Sequence, residues 1–310
     1  MKIVFMGTPK FAVTSLDTIF RSKHELLGVV TSTDKPAGRG NKIQQSAVKK
    51  YALENNITIY QPEKLKDENF VKNLEELNAD LFVVVAFRML PEIIWKIPKK
   101  GTINLHASIL PNYRGAAPIN WAIINGEKES GVTTFFINDK IDTGDVLQNE
   151  KISIVDGQTA GELHDKLMLV GSKLLIKTIN TLEKGNYKTR KQKKTENQSV
   201  APKLRRENTK IDWSKSAFSI RQLILGLNPY PGAWTIINKE EKPYNFKIFN
   251  AKLSDQKVSE KNILIDDNKL FVGTKTNALE LIEVQMEGKK RMMVNEFLKG
   301  NKNIKNYILL

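Results

Sequence analysis

Seven consecutive apolar residues at positions 81–87, from a leucine through a run of valines to a phenylalanine, have no polar face at either the helical or the strand period. So short an unbroken run reads as a buried strand, and a strand covered on both sides belongs to a sheet with layers above and below it. The segments around it alternate in kind. Residues 2–6 form a short apolar strand ending at Gly7-Thr8-Pro9, after which Phe11, Val13, Leu16, Ile19 and Phe20 recur at helical spacing. Residues 26–30, 57–60 and 102–106 read as further strands, with helices at 46–55 and 68–77 between them. Parallel strands need crossovers, so this alternation predicts an α/β fold with a mostly parallel sheet and helices on both faces. Residues 132–137 and 146–154 add strands, and 159–182 reads as a long closing helix.

The second half of the chain has a different character. Residues 1–184 carry 24 Lys and Arg against 21 Asp and Glu, whereas residues 185–310 carry 25 against 13. Between 184 and 210 the hydrophobic periodicity vanishes, and ten cations meet two glutamates. That stretch is a linker, or an arm laid across a surface. Beyond it come a helix at 216–227, the turn-rich Asn228-Pro229-Tyr230-Pro231-Gly232, and short strands at 234–237, 246–249, 263–265, 270–272 and 279–284. Strands at such spacing suggest a small β-barrel or sandwich. The expected division is therefore 1–184, a basic arm at 185–210, and 211–310. The basic excess suits a phosphate-rich partner such as nucleic acid, since neutralised phosphates release counterions; a solubilising surface gives the same excess. The chain has no cysteine and three histidines. These counts remove thiolate chemistry and disulfides, disfavour a multi-histidine metal site, and are compatible with a reducing cytoplasm. The longest apolar run falls far below the roughly 18 residues of a membrane span, so no membrane association is expected.

The chain contains no G-x-G-x-x-G after the first strand, no Walker loop, no G-x-S-x-G elbow and no H-E-x-x-H. Ligands of open parallel sheets bind outside the carboxyl ends of the strands. Four loops lie there: Gly7-Thr8-Pro9, Ala86-Phe87-Arg88, 104–114, and Asp142-Thr143-Gly144-Asp145. Asn104 and His106 stand two apart at a strand end and so project to one side of the sheet. An amide donor beside an imidazole suits a reaction in which a carbonyl oxygen gains charge and a proton moves. A carboxylate to orient and charge the imidazole is the natural third member, and Asp142 is placed to supply it. Taken singly, His106 also reads as a satisfied core histidine, Asn104 as a turn residue and Asp142 as a loop cap. His24 and His164 receive no role.

These residues also carry a resemblance. Asn104-x-His106-x-Ser108-x-Leu110-Pro111, then Arg114-Gly115-x-x-Pro118, with Asp142 in Asp142-Thr143-Gly144-Asp145, resembles the folate-dependent formyltransferases. Within that family, Gly7-Thr8-Pro9-x-Phe11-Ala12, the 34–40 loop, Ala201-Pro202-Lys203-Leu204 and Ile211-Asp212-Trp213 resemble the members that act on charged tRNA, and the likeness spans almost the whole chain. It implies a Rossmann-like domain followed by an OB-like barrel, 10-formyltetrahydrofolate as formyl donor, and the methionyl amine of initiator tRNA as acceptor. No metal is implied, and family behaviour suggests a monomer. By the same resemblance Asn104, His106 and Asp142 are catalytic, and Ser108, Ile109, Leu110 and Pro111, with Phe87, Arg88 and Leu90, contact folate. Arg39 and Lys42 in the cationic 33–42 loop approach the tRNA end, and Lys203, Arg205 and Arg206 contact tRNA phosphates. One departure is visible: Phe87-Arg88 stands where the family usually has Tyr-Gly. Arg88 then reaches a pterin oxygen, pairs with an acid, or leaves the site.

Three other readings compete. The same three residues serve formyl transfer to a small molecule, or hydrolysis of the formyl donor, but neither explains the basic second half. A non-catalytic RNA-binding protein does not explain Asn104, His106 and Asp142 together. A Ser108-His106-Asp142 hydrolase lacks the elbow such a nucleophile needs.

Overall fold

In the computed structural model, which describes all residues except 38–41, 194–197, 240–241, 302, 305–306 and 310, the chain packs as two units interleaved along the sequence. The first comprises Met1–Gly115, Glu129–Ile152 and His164–Val200; the second comprises Ala116–Lys128, Ser153–Leu163 and Ala201–Leu310. In chain order the first half holds β1 (Lys2–Gly7), α1 (Lys10–Phe20), β2 (Glu25–Val30), β3 (Lys35–Ala37), β4 (Lys42–Gln44), α2 (Ala47–Glu54), β5 (Ile59–Tyr60), α3 (Glu68–Glu76), β6 (Leu81–Val85), α4 (Glu92–Trp95), β7 (Thr102–His106), β8 (Arg114–Gly115), α5 (Pro118–Ile124), β9 (Glu129–Phe136), β10 (Val146–Ser153) and α6 (Ala160–Lys184). Then follow β11 (Val200–Ala201), α7 (Ala217–Gly226), β12 (Ala233–Lys239), β13 (Lys242–Leu253), β14 (Ile263–Asp266), β15 (Lys269–Gly273), β16 (Ala278–Met286), β17 (Met292–Met293), α8 (Val294–Lys299) and β18 (Ile308–Leu309).

The first unit is built on a sheet of order β10-β9-β7-β6-β1-β2-β5. β1 runs parallel to β2 and β6, and β6 to β7, as the alternation predicts. β9 is antiparallel to β7. Its apolar pattern announces a strand and says nothing of direction. Each face of the sheet buries a layer. Val4, Met6, Phe82 and Val84 pack against Phe70, Val71 and Leu74 of α3, while Ile3, Phe5, Val83 and Val85 are buried as the alternate set. On the face of Leu105, Gly171 of α6 sits so close that an added Cβ would lie 3.0 Å from Leu105 Cδ2, and the Thr134 and Thr178 hydroxyls meet at 2.9 Å. The helices begin where capping chemistry dictates: Ser46 Oγ accepts from Lys49 N at 3.0 Å and Asp67 Oδ1 from Phe70 N at 3.0 Å.

In the second unit the strands pair in the order β14-β15-β16-β13-β12-β18, with β17 on β16. These pairs are antiparallel, and the register of β13 against β16 shifts at Asn250. Such a bulge bends a strand and raises its twist, so this long strand curls the sheet into a half-barrel. Trp213 and Ile220 and Ile224 of α7 share one buried cluster with Phe246, Ile248, Leu279 and Val284 of the sheet. The antiparallel pair of β3 and β4, in a stretch the sequence presents as a Pro- and Gly-rich loop, and the short helices α4, α5 and α8 are additions to the expected elements. Four to seven residues are too few to display a helical period.

Candidate active site

Because β6 and β7 are parallel with Val84 opposite Asn104, Asn104 shares the face covered by α3, and His106 follows on that face at the end of the strand. His106 is 7% exposed. Its ring is fixed by the backbone: Nε2–H donates to the Tyr113 carbonyl at 2.8 Å. The neutral imidazole therefore keeps its lone pair at Nδ1. Asp142 Oδ2 lies 3.8 Å from that nitrogen and itself accepts from Gly115 N–H at 2.9 Å. The carboxylate thus faces the imidazole from just beyond hydrogen-bond distance, and Tyr113, rather than Asp142, sets the ring orientation. The half-buried Asn104 side chain makes no hydrogen bond to the described residues.

Both partners of His106 are held in left-handed backbone conformations, Tyr113 at φ 59° and Asp142 at φ 53°. Non-glycine residues in that region are uncommon and persist where their surroundings over-determine them. The surroundings here come from the arm. Ser199 O accepts from Tyr113 N–H at 2.7 Å, Gln198 donates to the Pro111 carbonyl, and Arg190 exchanges two 2.9 Å backbone bonds with Val146. Gln192 Nε2 donates to the carbonyls of Asp142 (3.0 Å) and Gly144 (2.8 Å), while its Oε1 accepts from Arg114 Nε (3.1 Å) and Nη2 (2.6 Å). Burial pushes the Arg114 guanidinium below its ordinary value, and the Asp142 charge opposes that shift. Gln192 is a site residue that sequence reading missed, since it sits in a segment without periodicity.

The loop after β7 is braced from β9. Thr133 Oγ1 donates to the Ser108 carbonyl at 2.7 Å and accepts from Leu110 N–H at 3.2 Å. Gly131 makes room for this loop, because a Cβ there would stand 2.3 Å from Ile109 Cδ1. Ser108 Oγ donates to the Asn112 carbonyl at 2.6 Å and not to His106, so no serine–histidine relay is assembled. The Leu110–Pro111 peptide is cis. After β6, Leu90 and Phe87 pack into the core beside α3, and the Arg88 guanidinium donates to the Pro62 and Glu63 carbonyls, the latter at 2.9 Å. Arg88 therefore ties this loop to the one after β5 and pairs with no acid among the described residues.

In the second unit Lys203, Arg205 and Arg206 are exposed and line a cavity of about 480 Å³ with Tyr230, Trp234 and Lys247. Trp213 is core, with Nε1 donating to Thr235 Oγ1 at 3.2 Å, and Trp234 carries the Arg206 guanidinium 4.0 Å above its ring. Tyr230 is 81% exposed. Lys42 lies in β4, while Arg39 lies outside the described residues. Among the described residues no cluster of three or more potential ligands could hold a metal, and no helix is long and apolar enough to cross a membrane.

The family model for formyl transferase matches residues 1–179, and that for the formyl transferase C-terminal domain matches residues 203–302. The chain belongs to the formyl transferase family. Among its formyl transferase relatives, the methionyl-tRNA formyltransferase of Flavobacterium johnsoniae is 52% identical over 302 residues, covering 97% of this chain and 96% of that one. The enzyme of the same name from Clostridioides difficile is 47% identical, with 97% of each chain covered. The crystal structure of WlaRD, a sugar 3N-formyl transferase in the presence of dTDP and 5-N-formyl-THF, superposes with a TM-score of 0.67 at 25% identity, covering 94% of this chain and 99% of that one. HypX from Aquifex aeolicus in complex with tetrahydrofolic acid shares the fold at TM-score 0.65 and 18% identity, over 98% of this chain and 48% of that one. The protein is a formyltransferase.

Proposed function

We propose that the protein transfers the formyl group of 10-formyltetrahydrofolate to the free amine of methionyl-initiator tRNA. The observation that carries this reading is the approach of Asp142 to His106 at 3.8 Å, with Asn104 on the same face of β7, in a chain that aligns almost end to end with relatives named for that reaction. The neutral amine attacks the formyl carbon, and the formyl oxygen takes up negative charge. Asn104, whose amide has no partner among the described residues, donates to it. A proton leaving the attacking nitrogen is received at His106 Nδ1, since Nε2 is committed to Tyr113. The resulting imidazolium turns an N–H toward Asp142, which closes from 3.8 Å and stabilises the new charge. The C–N bond to the folate then breaks, and the proton passes to the departing N10.

Ser108 to Pro111, with Phe87, Arg88 and Leu90, form the folate side of the site in this reading. Arg88 contributes by fixing its loop. Arg39 and Lys42, and Lys203, Arg205 and Arg206 around their cavity, take the tRNA, whose phosphates position it without specifying sequence. Residues 1–184 act as the catalytic domain, 185–210 as the arm and 211–310 as the tRNA-binding domain of a cytoplasmic monomer. The test follows formyl-methionine and tetrahydrofolate together after mixing protein with 10-formyltetrahydrofolate, with and without charged initiator tRNA. Tetrahydrofolate released equally without tRNA would replace transfer by hydrolysis.

A further inference from the structure

We propose that Gln192 is a positioning residue for the reaction, acting through Asp142. Four hydrogen bonds satisfy both lone-pair directions and both N–H groups of one carboxamide: two from Arg114 at 3.1 and 2.6 Å, and two to the carbonyls of Asp142 and Gly144 at 3.0 and 2.8 Å. No other side chain of this length makes that set. Glutamate can accept from Arg114 but sets an anionic oxygen against two carbonyls; methionine has the shape and none of the bonds.

The bridge has a definite mechanical effect. Asp142 carries its carboxylate on a backbone turned to φ 53°, a conformation uncommon outside glycine although aspartate tolerates it better than most residues. Gln192 grips the backbone side of Asp142 through its carbonyl, Gly115 N–H grips the carboxylate at 2.9 Å, and Arg114, next to Gly115, is held by the other end of the same carboxamide. The arm thereby closes a ring of hydrogen bonds around the turn between β9 and β10, on which the 3.8 Å spacing between Asp142 and His106 depends. Displacement of a catalytic group by about 1 Å can cost on the order of 100-fold in rate.

This inference rests on the proposed role of Asp142, and the experiment separates the two. Gln192→Met and Gln192→Glu are compared with Asp142→Asn, which keeps an oxygen for Gly115 N–H, and with the Gln192→Met/Asp142→Asn double variant. Single-turnover rates are normalised to folded protein by circular dichroism. Gln192→Met is expected to lower kcat by about 10- to 100-fold while KM for both substrates stays unchanged, with Gln192→Glu lower still. On the Asp142→Asn background Gln192→Met is expected to cost nothing further, because residues acting as one unit are not additive. Full turnover in Gln192→Met, a loss confined to KM, or the same loss on both backgrounds would overturn the role of Gln192. Full turnover in Asp142→Asn alone would overturn the catalytic assignment beneath it.

Discussion

At the scale of the residue, the proposed reaction concentrates on one nitrogen. His106 Nε2 is tied to a carbonyl, which leaves Nδ1 for the proton in the proposed mechanism, and His106→Ala is expected to lower turnover by roughly 100- to 10,000-fold while leaving tRNA affinity unchanged in a binding titration. Ser108→Ala is expected to retain turnover, because its hydroxyl serves a backbone carbonyl; a collapse of the rate would reinstate a serine relay. Away from the site, His24 is 5% exposed with Nε2 donating to Asn180 Oδ1 at 3.0 Å, and burial lowers its pKa from 6.5. The folded state thus favours the neutral ring. Its contribution to stability is complete above pH 6.5 and falls as the pH drops below that value, where the unfolded chain takes up the proton first. Glu183, drawn down to about 2 by its hydrogen bond from Lys23, acts in a separate window: its contribution is present above 4.5 and is lost between there and 2. A melting curve followed from neutral pH downward is expected to fall in two steps, and His24→Gln is expected to remove the upper one.

At the scale of the element, the turn between β9 and β10 is tightly constrained. A Cβ on Gly144 would lie 1.6 Å from the Phe136 carbonyl oxygen, so Gly144→Ala is expected to destabilise the protein by about 1–3 kcal/mol and to displace Asp142, read as a lower melting temperature together with a lower kcat. Ser46→Ala removes the cap of α2 and is expected to cost about 1 kcal/mol with no effect on turnover. What the sequence disclosed follows the same lines. Long apolar periods disclosed the sheet and its helices to within a few residues, and the motif around Asn104 and His106 pointed to the candidate site. The antiparallel sense of β9 stayed hidden because alternation carries no direction. Gln192 stayed hidden because its importance comes from four hydrogen bonds made by a polar side chain in an aperiodic stretch, and no pattern of hydropathy records those.

At the scale of the whole molecule, most of the excess of positive charge lies in residues 185–310. Reversing Lys203, Arg205 and Arg206 together is expected to weaken tRNA binding and to flatten its dependence on salt by about one unit of slope for each phosphate no longer neutralised, while formyl-donor affinity stays the same. An unchanged slope would move the tRNA surface elsewhere. The central claim is that His106 and Asp142 serve transfer to a charged tRNA, and one measurement addresses it most directly: formyl-methionine formed per enzyme in a single turnover with 10-formyltetrahydrofolate and methionyl-initiator tRNA, for the natural protein and for Asp142→Asn. The account predicts product from the natural protein only when charged tRNA is present, and a rate lower by at least about 100-fold in the variant with tRNA still bound. Equal rates in the two proteins, or tetrahydrofolate released without tRNA, would contradict it.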